Sequence, residues 1–144
     1  APRPIPSMLD YRVHQEKESM FNTPPVVAVY VSMLTLKWLK EKGGVSAIEK
    51  LNGEKAGQLY AEIDRNPLFK GFAHKEDRSM MNATFNLTDE SQKNTFDALC
   101  KEAGINGING HRSVGGYRAS IYNAMPLESV QVLIEVMKEF ERQQ

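Results

Sequence analysis

Apolar residues recur at helical spacing between Val26 and Trp38, where Val27, Tyr30, Val31, Leu34 and Trp38 fall on one face. The preceding "NTPP" places Asn22 or Thr23 at the helix N-cap, with proline in the first turn where its missing N–H costs nothing. Gly43-Gly44 ends this helix. A second helix restarts at once, with Ile48, Ala56, Leu59 and Ile63 on its apolar side, and Asn66-Pro67 breaks it. The period then changes from about 3.6 to 2. In "RSMMNATFNL", Met81, Ala83, Phe85 and Leu87 alternate with Met80, Asn82, Thr84 and Asn86, the pattern of a strand with one buried face. Thr88 to Ser91 offer N-caps for a helix with Phe96, Leu99, Cys100 and Ala103 on one face, closed by Gly104. "GINGINGHRSVGG" carries five of the ten glycines and predicts a bend, bulge or tight loop. "YRASIYNA" alternates again, with Tyr117, Ala119 and Ile121 opposite Arg118, Ser120 and Tyr122. Pro126 opens a last amphipathic helix through Leu127, Val130, Ile134 and Met137.

The order from about residue 67 onward reads β-α-β-β-α, which packs two helices on one face of a small, largely antiparallel sheet. At 144 residues, 41% hydrophobic and 25% charged, the chain suits one domain, or one domain plus a piece of another. Its 18 Lys+Arg balance its 18 Asp+Glu without a long basic run, which argues against nucleic acid or an anionic membrane as partner. The apolar segment Val26 to Leu36 falls well short of the roughly 18–20 residues a membrane span needs, and is expected to be a buried helix. Cys100 has no second cysteine, and no Cys/His spacing suggests a metal, which fits a reducing cytoplasm. His14 and His74 read as surface residues, and Ser19, Ser79 and Ser113 lack a nucleophile signature. The chain opens "APRPIPSMLDYRV" without an initiator methionine, consistent with methionine removal or with a piece of a longer polypeptide.

Against this neutral background, "GHRSVGGYRAS" gathers His111, Arg112 and Arg118 among glycines. Arginine binds carboxylates and phosphates through a planar fork of donors, and glycine lets the backbone come close, so the stretch is a candidate site for a small anion. Pattern alone leaves these three as either that site or surface charges on a hairpin. Alternation does place Arg118 on a strand rather than on a loop. Asn22 and Thr23 have two compatible readings as well, a helix cap and a phosphate site at a helix N-terminus.

Four segments in order, "SMFNTPP", "GGVSAIEKLNGEKA", "RSMMN" and "GHRSVGGYRASIYNAMP", resemble the C-terminal part of the phosphoserine aminotransferase family, over essentially the whole chain. That family belongs to the class-V, fold-type I pyridoxal phosphate aminotransferases. The resemblance implies an α/β fold with an α+β small domain: residues 1–23 end a large cofactor-binding domain, 24–66 form connecting helices, and 67–144 form the small domain. It implies a cytoplasmic, homodimeric enzyme exchanging an amino group between glutamate and 3-phosphohydroxypyruvate, giving phosphoserine and 2-oxoglutarate, in serine and in some organisms pyridoxal phosphate biosynthesis. Residue by residue, it implies that Arg118 holds the substrate α-carboxylate, and that His111 and Arg112 help hold the side-chain phosphate or carboxylate. Asn22 and Thr23 would bind the phosphate of pyridoxal 5'-phosphate seated mainly on the neighbouring subunit.

The family's Schiff-base lysine lies upstream of "NTPP", and none of the lysines here, such as Lys17 or Lys37, matches it. The aromatic and aspartate that flank the cofactor ring are not matched either, so the chain carries about half of an active site and is expected to be inactive alone. Two other classes keep part of the pattern. A non-enzymatic anion-binding module would keep the arginines without the chemistry. A related aminotransferase for an unphosphorylated amino acid would keep Arg118 but use His111 and Arg112 differently.

Overall fold

The computed structural model describes residues 3–144, which divide into two compact units, the first ending at Glu41 and the second running Lys42–Gln144. In the first, a short 3-10 turn at Ser7–Leu9 leads into α1 (Tyr11–Glu16). Asp10 caps α1, its Oδ1 accepting the Arg12 N–H at 3.0 Å. The longer α2 spans Val26–Glu41. Its first helical hydrogen bond runs from the Val29 N–H to the Pro25 carbonyl at 3.1 Å, so the chain turns helical after both prolines rather than at Asn22 or Thr23. The reason lies in the prolines themselves. A residue that precedes proline is pushed out of the helical region, which keeps Thr23 and Pro24 extended and delays the cap to Pro25.

The expected burial of α2 is not met within this chain, for none of its residues is buried. Val27 is 77% exposed, Tyr30 56% and Leu34 44%. Val26 and Val29 are also more than half exposed, so apolar surface extends around much of the helix. Helices apolar on most sides need cover from several directions, and within α2 only Trp38 and Leu39 are half-buried.

The second unit has its own core. α3 (Gly44–Arg65) begins after Gly43, which adopts the left-handed conformation, and ends at Asn66 ahead of Pro67. Three strands follow with two helices among them: β1 (Phe69–Gly71), β2 (Asn82–Leu87), α4 (Lys93–Glu102), β3 (Tyr117–Ser120) and α5 (Leu127–Arg142). The sheet order is β1-β2-β3, antiparallel throughout, with Gly71 opposite Phe85, and Ala83 opposite Ala119. The expected helix-backed antiparallel sheet is present, with two differences of detail. β1 adds a third strand too short to show a period in sequence. The segment before the glycine turn contributes a single bridge, Asn109 to Tyr117, in place of a full strand.

Alternation holds where it was read. Ala83, Phe85 and Leu87 of β2 and Tyr117 and Ala119 of β3 face a core shared with Leu59 and Ile63 of α3, Phe96 of α4 and Met137 and Phe140 of α5. Phe96 has no solvent exposure, and its ring meets Phe69, Tyr117 and Phe140 with centroids 5.1, 5.0 and 5.3 Å away. Edge-on and tilted contacts of this kind add about 0.5–1.5 kcal/mol each beyond the area buried. The core thus pins the inner face of β3 and leaves its outer face, with Arg118 and Ser120, only partly covered.

Candidate functional site

The glycine-rich segment folds as a tight hairpin. The Arg118 N–H donates to the Ile108 carbonyl at 2.7 Å and the Gly110 N–H to the Gly116 carbonyl at 2.8 Å. The Val114 and Gly115 N–H groups donate to the His111 carbonyl at 2.9 and 2.8 Å, closing the turn. Its glycines have a steric cause. A Cβ on Gly110 would run into the carbonyl of Gly115, and one on Gly116 into the side chain of Asn86 and the carbonyl of Phe85. Only a bare backbone lets the hairpin close on itself and lie against β2.

His111 and Arg112 sit in this turn, and both are exposed. Nδ1 of His111 accepts the Ser113 N–H at 3.3 Å and lies 2.7 Å from the Ser113 hydroxyl. Accepting an N–H needs the Nδ1 lone pair, so in the neutral ring the proton sits on Nε2, which becomes a donor. Arg118 is placed differently. Its backbone is tied on one side to Ile108 and pairs with Thr84 of β2 on the other. The side chain is half-buried, and its Nε is buried with no hydrogen-bond partner. Among the described residues no ion pair involves Arg112 or Arg118. A buried donor with nothing to bond costs roughly 1–3 kcal/mol, a debt that an incoming anion would remove. Arg118 also lines a pocket of about 120 Å³, together with Gly107, Ser120, Met125 and Ser129.

The strand beneath is held firmly. The Tyr117 hydroxyl donates to Asp97 Oδ1 at 2.8 Å, while its ring stacks on Phe85 at 5.4 Å. Burial, and after it the bond to Asp97, raises the Tyr117 pKa far above its ordinary value, so the phenol stays protonated. On the outer face, Asn82 Oδ1 accepts from the Ser120 hydroxyl at 3.2 Å and the Tyr122 hydroxyl at 3.3 Å. The "RSMMN" segment has a structural account here: the Ser79 hydroxyl accepts the N–H groups of Met81 and Asn82 and starts β2.

In the first unit, Asn22 and Thr23 are exposed on the extended approach to α2. The Asn22 amide donates to Met8 Sδ at 3.2 Å, a weak bond that a better acceptor would displace. The Val26 N–H donates to Pro24, so the first N–H groups without a helical acceptor are those of Val27 and Ala28.

Sequence reasoning passed over Lys55. Its side chain is wholly buried, and Nζ donates to the carbonyls of Ile121, Tyr122 and Met125 at 3.1, 2.8 and 3.0 Å. Three donors meet three acceptors, with no carboxylate present in the set. Burial lowers the pKa of this ammonium. One turn earlier on α3, buried Asn52 donates to Asn123 Oδ1 at 2.8 Å. The signal available was positional: Asn52 and Lys55 fall on the same helical face as Ile48, Leu59 and Ile63. A polar residue on an apolar stripe has a partner to find.

The class-V aminotransferase family model matches residues 5–133. The chain belongs to the class-V aminotransferase family. It is 69% identical over 139 residues to a phosphoserine aminotransferase of Flavobacterium johnsoniae, covering 96% of this chain and 39% of that protein. It is 60% identical over 142 residues to one of Azobacteroides pseudotrichonymphae, covering 97% of this chain and 40% of the relative. Among solved structures, a phosphoserine aminotransferase from Bacillus circulans matches at 39% identity with a TM-score of 0.86, over 96% of this chain and 39% of that one. A pyridoxal phosphate-bound phosphoserine aminotransferase from Trichomonas vaginalis matches at 40% identity and a TM-score of 0.80, over 93% of this chain and 39% of that one. The chain thus spans about two fifths of the length of these family members.

Proposed function

We propose that this chain is the C-terminal part of a pyridoxal phosphate-dependent phosphoserine aminotransferase, exchanging an amino group between glutamate and 3-phosphohydroxypyruvate. The observation that carries this reading is the buried, unpartnered Nε of Arg118 on a strand tied from both sides. Such a guanidinium suits the α-carboxylate that glutamate and phosphoserine share, because its fork can give two parallel hydrogen bonds. His111 Nε2 and Arg112, exposed in the turn of the same hairpin, are assigned to the anion at the far end of the substrate, phosphate in one partner and carboxylate in the other. A site that must accept both reads charge more than shape, which fits two exposed donors without competing ion pairs.

Asn22, Thr23 and the free N–H groups of Val27 and Ala28 fit the phosphate of the cofactor. They are neutral donors at the start of a sixteen-residue helix, where its dipole favours an anion. When bound, pyridoxal phosphate supplies the electron sink that lets the α-proton of an amino acid leave. This chain's residues bind and orient: Arg118 fixes the carboxylate end, and the hairpin turn holds the other. The lysine that attaches the cofactor is assigned to the three fifths of the relatives that this chain does not match, so the chain alone is catalytically silent. Residues 1–23, 24–66 and 67–144 are assigned to the end of the large domain, the connecting helices and the small domain. A cytoplasmic homodimer completes the reading. The exposed apolar surface of α2 supports the pairing of subunits.

The complete enzyme tests the assignment. Arg118→Ala is expected to weaken glutamate and phosphoserine equally, by roughly 2–5 kcal/mol if the partner anion is left unpaired. Arg112→Ala is expected to erode mainly the preference for phosphoserine over serine. Steady-state KM and kcat for the three amino acids distinguish the two patterns. An Arg112→Ala enzyme that keeps its full preference for phosphoserine would remove the side-chain anion from that residue's role.

A further inference from the structure

Among the described residues the Arg118 Nε has no hydrogen-bond partner and its guanidinium no ion pair, so its direction depends on the backbone that carries it. That backbone ends abruptly. β3 stops at Ser120, and the chain must turn through residues 121–126 before α5 begins at Leu127. Within this turn the carbonyls of Ile121, Tyr122 and Met125 converge on one point, an arrangement in which three negative dipole ends repel one another. The Lys55 ammonium sits at that point and receives all three at 2.8–3.1 Å. Asn52, one helical turn away on α3, holds Asn123 of the same loop. Ile121 and Met125 also line the pocket that Arg118 lines. The lysine therefore fixes both the C-terminal end of the strand bearing Arg118 and two walls of the pocket beside it.

We propose that Lys55 is a positioning residue for Arg118, setting the affinity of the site for an α-carboxylate by gathering the 121–125 loop onto one buried ammonium. This rests on the assignment of Arg118 to the substrate carboxylate. The role is distinct from general stabilisation, because a loop that merely closed the fold would have no reason to share its effect with one guanidinium. The lysine's place on α3 also means that the largest helix of the unit, and not the sheet alone, sets where the arginine points.

The test is a double-mutant cycle in the complete, cofactor-loaded enzyme, with 2-methylglutamate as the binding probe because it presents the α-carboxylate but has no α-proton to lose. Lys55→Met is expected to weaken probe binding about tenfold, with KM for glutamate and phosphoserine rising together, kcat changing less, and cofactor content unchanged. On an Arg118→Ala background, Lys55→Met is expected to change probe affinity less than about twofold, since the group it positions is gone. If Lys55→Met binds the probe like the parent, or if the two losses simply add, Lys55 does not act through Arg118 and the inference falls. If Arg118→Ala itself leaves probe binding intact, the carboxylate assignment fails instead, and the two failures are told apart by that single arm. Should Lys55→Met not fold, Lys55→Gln, which keeps two donors without the charge, and Asn123→Ala, which loosens the same loop from its exposed side, carry the same cycle. Coupling of either to Arg118 supports the role, and additivity of both overturns it.

Discussion

At the scale of single residues, two glycines of similar backbone conformation separate strain from crowding. Gly107 and Gly116 have φ of +69° and +62°, a region that costs a residue with a Cβ about 1 kcal/mol or more. Around Gly107 an added Cβ meets nothing within 4 Å, whereas at Gly116 it collides with the Asn86 side chain, which would have to rotate away, and with the Phe85 carbonyl at 2.9 Å, which cannot move without disturbing β2. Gly107→Ala is therefore expected to cost about 1 kcal/mol. Gly116→Ala is expected to cost roughly 2–3 kcal/mol or more, because the collision adds to the strain. Urea unfolding of the two variants measures the difference, and equal losses would show that the hairpin has slack the structure does not suggest. Cys100 illustrates a different residue-scale effect. Burial, reinforced by nearby Asp97, pushes its thiol up to about 11, so this cysteine packs as a small apolar group and is poorly suited to act as a nucleophile.

Between elements, electrostatics fastens α3 to the segment that leads into β2. Arg78 forms two bonds to Asp64 of α3, at 2.7 and 3.0 Å, with Lys75 adding a contact at 3.0 Å and the Tyr60 ring lying 4.6 Å beneath the guanidinium. The Arg78 bonds, aided by Lys75, hold the Asp64 carboxyl down at about 2, against an ordinary value of 3.8. The sign follows from the direction. A carboxyl whose folded pKa is depressed contributes stability that is complete above its unfolded pKa and disappears as pH falls through its folded one. Stability is thus expected to decline between about pH 4 and pH 2 in part through this group, and Asp64→Asn should lack that part of the decline. Denaturant midpoints recorded across this range check it. A variant with the same pH profile as the parent would show that the pair is fully screened by solvent.

For the molecule as a whole, the first unit carries its polar candidates beside a helix none of whose residues is buried. The reading that Asn22 and Thr23 serve a cofactor on the neighbouring subunit has a direct consequence. Full-length subunits lacking the cofactor-attaching lysine, mixed with subunits carrying Asn22→Ala and Thr23→Ala, should recover activity above either parent after exchange. One site of each mixed dimer would then combine an intact lysine with an intact Asn-Thr pair, while the other holds both defects. Activity that stays at the parental average would assign the pair to its own subunit.

Features that depend on period and on local backbone chemistry are legible along the chain before it folds. Alternation in "YRAS" put Arg118 on the outer face of a strand, the 3.6 spacing located α3, α4 and α5, and glycine density marked a hairpin where Gly110 and Gly116 have no room for a side chain. Tertiary structure decided the rest, because the remaining features depend on partners remote in the chain. β1 is three residues long and exists through its pairing with β2. The apolar pattern of α2 signals a face to be covered but not whether this chain covers it. Lys55 reads as one more helical lysine until folding brings three carbonyls from 66 to 70 residues away onto its ammonium, since a hydrogen-bond donor has no partner in sequence, only in space.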